Sequence, residues 1–145
     1  MTYVFELSTD ADIRATPLHA AWDPIAARYT WAQVSGMNLG VPGGATIVVV
    51  AHGNGGEIGN AQPGTIDIDA ETFLGDIQSN MAPGTTPAAI YISTCGEGIA
   101  EFAAAVRLAA QANAIWAGTR IFGHSDPMAG PVPPPGALSW YEIFG

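Results

Sequence analysis

The sequence contains no lysine, one cysteine, and four arginines against thirteen acidic residues, which gives a formal net charge of −9. Nucleic acids and anionic membranes attract proteins through clustered Lys and Arg side chains, so this composition argues against both as partners. A single cysteine cannot form an intramolecular disulfide or a cysteine-rich zinc site. The charge instead favours cationic peptides and basic side chains as partners.

Long apolar runs and targeting signals are also missing. No stretch reaches the ~20 apolar residues that span a bilayer, and the segment Met1–Asp10 lacks the basic and apolar regions of a secretory signal. We therefore expect a cytoplasmic protein. Hydrophobic residues nevertheless make up 48% of the 145 residues. That share predicts one domain, residues 1–145, with a sizeable core.

Apolar runs alternate with helical patterns along the chain. β-branched and aromatic residues predict strands at Thr2–Ser8, Thr46–Ala51, Thr65–Ile68, Ala88–Thr94 and Ala114–Ala117. Spacing and N-cap residues, Asp23 before Pro24 and then Asp69, predict helices at Ile25–Val34, Ala70–Met81 and Ile99–Ala112. This alternation predicts an α/β fold, a three-layer αβα sandwich around a mostly parallel sheet. The apolar segment Trp140–Phe144 is expected to dock onto it.

Trp22, which precedes the first predicted helix, shares one face at helical spacing with Ile25, Tyr29 and Gln33, and we expect that face to pack in the core.

Two predicted strands end in polar glycine loops. Thr46–Ala51 is followed by HGNGG, residues 52–56, and Ala88–Thr94 by CGEG, residues 95–98. Ligand sites of parallel sheets lie beyond the carboxyl ends of the strands. If these two strands are neighbours, His52 and Cys95 emerge at the same edge and can meet.

Cys95 has the surroundings of a nucleophilic thiol. A thiol attacks a carbonyl as the thiolate, which a nearby base or positive field favours. His52 is the candidate proton acceptor, and the predicted helix Ile99–Ala112 would direct the positive end of its dipole toward Cys95. Gly53 and Gly96 offer backbone N–H groups that could hold the oxyanion of a tetrahedral intermediate.

The segments IVVVAHGNGG, Ile47–Gly56, and AIYISTCGEG, Ala89–Gly98, resemble the caspase-like cysteine peptidases. That superfamily includes caspases, metacaspases, gingipains, clostripain, separase and bacterial CHAT domains, and the order of elements agrees over Thr46–Gly118. The resemblance implies a caspase-like fold and a cysteine endopeptidase that forms a thioacyl intermediate without an organic cofactor. It also implies His52 as the catalytic histidine, Cys95 as the nucleophile, and an oxyanion site made by the backbone amides of Gly53 and Cys95.

Substrate selection is expected from residues around the nucleophile and from the loop after the last predicted strand, Gly118 to Asp126. Asp126 and Glu97 could receive a lysine or arginine of a peptide or protein substrate through charge-assisted hydrogen bonds. Arg120, in the same loop, would favour an acidic residue instead. The overall negative charge favours cleavage after a basic residue.

Other interpretations stay open. A lone cysteine is more often a small buried hydrophobic residue than a nucleophile, so the fold could serve as a catalytically inactive interaction module. His124 could instead be the base of a small cysteine-dependent α/β hydrolase with residues 52–56 as its oxyanion loop, although Cys95 lacks the preceding glycine of a nucleophile elbow. No phosphate-binding glycine motif or metal-ligand spacing occurs, so we expect no nucleotide or metal cofactor.

Overall fold

The computed structural model describes residues 1–36, 38–62, 64–94, 96–124 and 131–143. Two of the sequence-predicted site residues, Cys95 and Asp126, lie outside the described residues. The strands in the described ranges are β1 Thr2–Glu6, β2 Ile25–Tyr29, β3 Thr46–Gly53, β4 Ile58–Gly59, β5 Asp67–Ile68, β6 Ala89–Thr94, β7 Arg120–Gly123 and β8 Tyr141–Ile143. The helices there are α1 Ala11–Arg14, α2 Trp31–Gly36, α3 Ala70–Ser79 and α4 Ile99–Ala112.

The main sheet has the strand order β2–β1–β3–β6–β7–β8. All neighbouring pairs from β2 to β7 are parallel, and β8 pairs antiparallel with β7 at one edge. β4 pairs antiparallel with the end of β3 and with β5. These pairings confirm the predicted α/β class and its mostly parallel sheet.

Both faces of the sheet are covered. Ile47 and Val49 of β3 belong to a core that also contains buried residues of α2, α3 and α4, whereas Val48 points into a core on the opposite face. Ile13 of α1 and Trp22 of a 3₁₀ turn cover that second face. Burial on both sides explains why β3 and β6 are continuous apolar runs in the sequence.

The two long helices agree with the sequence prediction. Asp69 caps α3 by accepting a hydrogen bond from the Thr72 amide at 2.8 Å, and α4 has the predicted bounds. Phe73 and Phe102 join the two helices in an edge-to-face contact with ring centroids 5.5 Å apart. No helix in the described ranges is both long and apolar enough to cross a lipid bilayer.

The predicted helix over Ile25–Val34 forms only at its end, where Trp31–Val34 belong to α2; the earlier part is wrong. Its first half is the edge strand β2, which pairs with β1 from Thr2↔Ile25 to Phe5↔Tyr29. Trp22 lies in the preceding 3₁₀ turn, so the expected helical face does not form. Pairing with β1 gives this backbone hydrogen bonds to a distant segment of the chain. These bonds outweigh the local preference for a helix.

The predicted strand over Ala114–Ala117 is also wrong. Ala114 and Trp116 have left-handed φ values of 54° and 60° and form a turn. The Trp116 ring is buried, with its Nε1 donating to Gln78 Oε1 at 2.8 Å. The last parallel strand is β7, which begins at Arg120. The expected docking of the C-terminal segment is confirmed by β8.

Candidate active site

The carboxyl ends of β1, β3 and β6 lie next to one another in the sheet. Ala51 pairs with Thr94 at the last register position between β3 and β6. His52 follows Ala51 within β3, and Cys95 follows Thr94 in the sequence. The two strands that carry the sequence motifs are therefore parallel neighbours that end at the same edge.

The two glycine loops touch through their backbones. A Cβ at Gly96 would overlap the carbonyl oxygen of Gly53, and a Cβ at Gly53 would stand 2.6 Å from Cγ2 of Ile58. The Gly96 amide donates to Thr94 Oγ1 at 3.1 Å. Glycine is required at both positions because the segments approach too closely for a side chain.

His52 faces acidic side chains that follow β1. Its Nε2 lies 3.1 Å from Oδ1 and 3.0 Å from Oδ2 of Asp12, and 3.4 Å from Oδ2 of Asp10. The His52 side chain is 19% exposed. The hydrogen bond with His52 lowers the pKa of the Asp12 carboxyl below its usual value, because it stabilises the charged form.

Arg28 on β2 anchors the segment that carries Asp12. Its Nε donates to Glu6 Oε2 at 2.6 Å, and its Nη1 donates to the Thr16 carbonyl at 2.7 Å. Glu6 lies at the end of β1, so the ion pair links β2 to β1, and the bond to Thr16 adds the segment just after α1. The acidic side chains beside His52 are thus held by the sheet itself.

A cleft of about 290 Å³ opens beside His52. Two acidic side chains, Glu57 and Asp67, line it, and its described lining contains neither arginine nor lysine. Among the described residues, those that line the cleft are His52, Gly53, Asn54, Glu57, Ile58, Gly59, Asn60, Ala61, Asp67 and Gly96. Such a surface favours a cationic group over an anionic one.

The remaining predicted substrate residues fall in different places. Glu97 is exposed, just after the end of β6. Gly118 precedes β7, and Arg120, the first residue of β7, pairs with Ala89, the first residue of β6. Gly118 and Arg120 therefore lie at the amino edge of the sheet, away from His52. Their expected placement depended on a strand over Ala114–Ala117, which does not form.

His124 follows β7 at the same edge as His52 but is almost fully buried, at 1% exposure. Its Nε2 accepts a hydrogen bond from the Thr94 amide at 3.1 Å. The His124 carbonyl accepts from the Ala100 amide at 2.8 Å, at the start of α4. These contacts link β6, β7 and α4. The hydrogen bond from Thr94 also occupies the lone pair of Nε2, which a general base would need to accept a proton.

Asp10 and Asp12 were missed by sequence reasoning. The available signal was the acidic pair in STDAD, residues 8–12, directly after the first predicted strand. This acidic pair points to His52 only if β1 lies beside β3, and the sequence alone does not predict that strand order. With His52, these two carboxylates offer three donor atoms within 4.8 Å of one another, near enough to share a divalent cation.

No protein-family model, curated protein or solved structure matches this chain.

Proposed function

We propose that this protein is a caspase-like cysteine peptidase in which His52 and Cys95 form the catalytic dyad. The observation that carries the proposal is the pairing of β3 with β6, which end together at Ala51 and Thr94. His52 follows one of these strands, and Cys95 follows the other in the sequence. The contact between Gly53 and Gly96 supports it further, because it brings the loop after His52 against the residue after Cys95.

The proposed reaction is acyl transfer through a thioester. His52 takes the proton of the Cys95 thiol, and the thiolate adds to the carbonyl carbon of a peptide bond. The backbone amides of Gly53 and Cys95 stabilise the oxyanion, where one such donor contributes ~3 kcal/mol. The C–N bond then breaks as His52 returns the proton to the leaving amine. Water, deprotonated by His52, finally hydrolyses the thioester and releases the thiol.

A basic residue at the cleavage position fits the charge of the cleft. Glu57 and Asp67 line the cleft beside His52, and the chain as a whole carries a formal charge of −9. An arginine side chain can form paired, charge-assisted hydrogen bonds with carboxylates, which adds directional specificity to the attraction. Glu97, exposed after the end of β6, is a further acid at this edge.

Labelling with a peptidyl electrophile tests the proposal. Matched probes carrying Arg, Asp or Leu before the reactive ketone are incubated with the folded protein, and adducts are located by mass spectrometry. We expect one adduct, on Cys95, formed fastest with the Arg probe. His52→Ala should slow it by about 100-fold or more, the usual contribution of general acid–base catalysis. His19→Ala is the matched control, since His19 caps a 3₁₀ turn.

Two results would contradict the proposal. Absence of an adduct with every probe would indicate an inactive interaction module. Loss of labelling in His124→Gln with retention in His52→Ala would indicate a hydrolase that uses His124. The hydrogen bond that His124 Nε2 accepts from Thr94 argues against that second outcome.

A further inference from the structure

The two ring nitrogens of His52 have different surroundings. Nε2 faces the carboxylates of Asp12 and Asp10 at 3.0 and 3.4 Å. Within the described ranges, Nδ1 has no hydrogen-bond partner. A histidine that donates from one nitrogen to a carboxylate keeps the other unprotonated when the ring is neutral, so the partner acid selects the tautomer.

Asp12 is better placed than Asp10 to be that acid. Both Asp12 oxygens lie within 3.1 Å of Nε2, and Oδ1 also accepts from the Ile13 amide at 3.0 Å, which fixes the carboxylate. The nearer oxygen of Asp10 accepts instead from the Ala61 amide at 2.8 Å. Asp10 thus holds the neighbouring loop, while Asp12 holds the ring.

On the premise of the proposed peptidase, we propose that Asp12 is a positioning residue for His52 and completes a Cys–His–Asp triad. Asp12 accepts a hydrogen bond from Nε2–H throughout the reaction and stays ionised. Nδ1 is then the atom that takes the proton from the Cys95 thiol and later returns it to the leaving amine. The carboxylate also stabilises the imidazolium between those two steps. The acid lies in α1, the helix that follows β1, and Arg28 braces the segment that carries it.

Matched isosteric variants test this role. Asp12→Asn keeps the shape but presents an amide whose N–H groups can donate to Nε2 and so favour the proton on Nδ1. We expect kcat on an arginyl peptide substrate to fall about 10- to 100-fold, the range for a misaligned catalytic group, with KM nearly unchanged. Asp12→Glu should recover part of the loss. Asp10→Asn removes the same charge beside the ring and should lower kcat clearly less than Asp12→Asn does.

Three results would overturn this inference, and each would indicate a different role for Asp12. An equal loss of kcat in Asp10→Asn would overturn the inference, because the effect would then be one of charge rather than orientation. Activity abolished by EDTA and restored by Zn²⁺ or Ca²⁺ would also overturn it, because the three side chains would then hold a cation. A melting temperature lowered as far in Asp12→Asn as in Arg28→Ala would reduce Asp12 to a structural role.

A ¹⁵N NMR measurement separates this inference from the proposed function. If the wild type lacks peptidase activity, the peptidase proposal fails, but the ring of His52 still reports on Asp12. A neutral ring protonated on Nε2 in the wild type and shifted toward Nδ1 in Asp12→Asn would support the orienting role. The same tautomer mixture in both proteins would overturn it.

Discussion

The carbonyl oxygen of Gly53 lies where the Cβ of any larger residue at Gly96 would stand. The two loops that carry the sequence motifs therefore meet backbone to backbone, at the ends of adjacent strands. A methyl group at residue 96 cannot be accommodated by turning a side chain, because the obstructing atom belongs to the main chain.

Gly96→Ala is predicted to lower the free energy of unfolding by about 1–3 kcal/mol, the usual cost of overpacking. It should also slow labelling of Cys95, because the loop must move. Gly118→Ala is the control, since a Cβ there meets nothing within 4 Å, and its effect should stay within about 0.5 kcal/mol. Urea unfolding measures both. A Gly96→Ala protein as stable as the wild type would contradict the packing described.

Asn80 is predicted to be the most sensitive polar residue of the core. Its side chain is fully buried; Nδ2 donates to the carbonyls of Val34 and Asp76, and Oδ1 accepts from the Leu39 amide. Asn80→Leu removes all three hydrogen bonds, and we expect a loss of about 2–5 kcal/mol in urea unfolding.

The exposed Asn113 is the control for Asn80. Its Nδ2 donates to the Ala109 carbonyl at the end of α4. Asn113→Leu should cost less than about 1 kcal/mol. Equal losses in the two variants would show that the buried network does not stabilise the fold as described.

The Asp12 carboxyl is predicted to titrate below its usual value of 3.8, chiefly because of its hydrogen bond with His52. Because the pKa is lower in the folded state, the stabilisation exists above the unfolded value and is lost as the pH falls through the folded pKa. In His52→Ala the pKa should rise toward 3.8. NMR titration of the side-chain carboxyl carbons measures the change.

Asp76 provides an internal control in the same NMR titration. Burial raises the pKa of its carboxyl above 3.8, and that shift should be unaffected by His52→Ala. An Asp12 pKa that is the same in both proteins would contradict the contact between Asp12 and His52.

The acidic cleft is predicted to select basic substrates. Replacing either Glu57 by Gln or Asp67 by Asn should lower kcat/KM for an arginyl peptide about 3- to 10-fold, as expected for exposed charges. The loss should shrink at high salt, because ions screen such charges. Glu71→Gln, on the exposed first turn of α3, is the charge-matched control. Equal effects of the control and the cleft changes would indicate long-range charge rather than contacts in the cleft.

The elements predicted correctly from the sequence are those whose local residue pattern agrees with their burial in the fold. β3 and β6 are continuous apolar runs because both faces are covered, and α4 is an alanine-rich helix with an apolar face. The Asp69 cap was visible for the same reason, since N-capping is local chemistry.

The errors came where distant contacts decide the structure. Ile25–Tyr29 has helical spacing, but it is an edge strand because β1 pairs with it and Glu6 binds Arg28. Ala114–Ala117 is apolar enough for a strand, yet the burial of Trp116 is achieved in a left-handed turn. Neither structure can be predicted from neighbouring residues in the sequence alone.

The candidate site was predicted only in part for the same reason. His52 was identified because a polar glycine loop after a buried strand is a local signal. Asp12 was not, because its contact with His52 depends on β1 lying beside β3 in the sheet. Strand order is a property of the whole fold, and a single sequence with alternating strands and helices permits several orders.

The rate of Cys95 alkylation by iodoacetamide near neutral pH tests the central claim most directly, because only an activated thiolate reacts quickly. The wild type should react faster than free cysteine, and His52→Ala should lose that advantage while remaining folded. Cys95→Ala, which leaves no thiol in the chain, gives the background. A thiol that stays silent until the protein unfolds, or one that reacts equally fast without His52, would contradict the dyad.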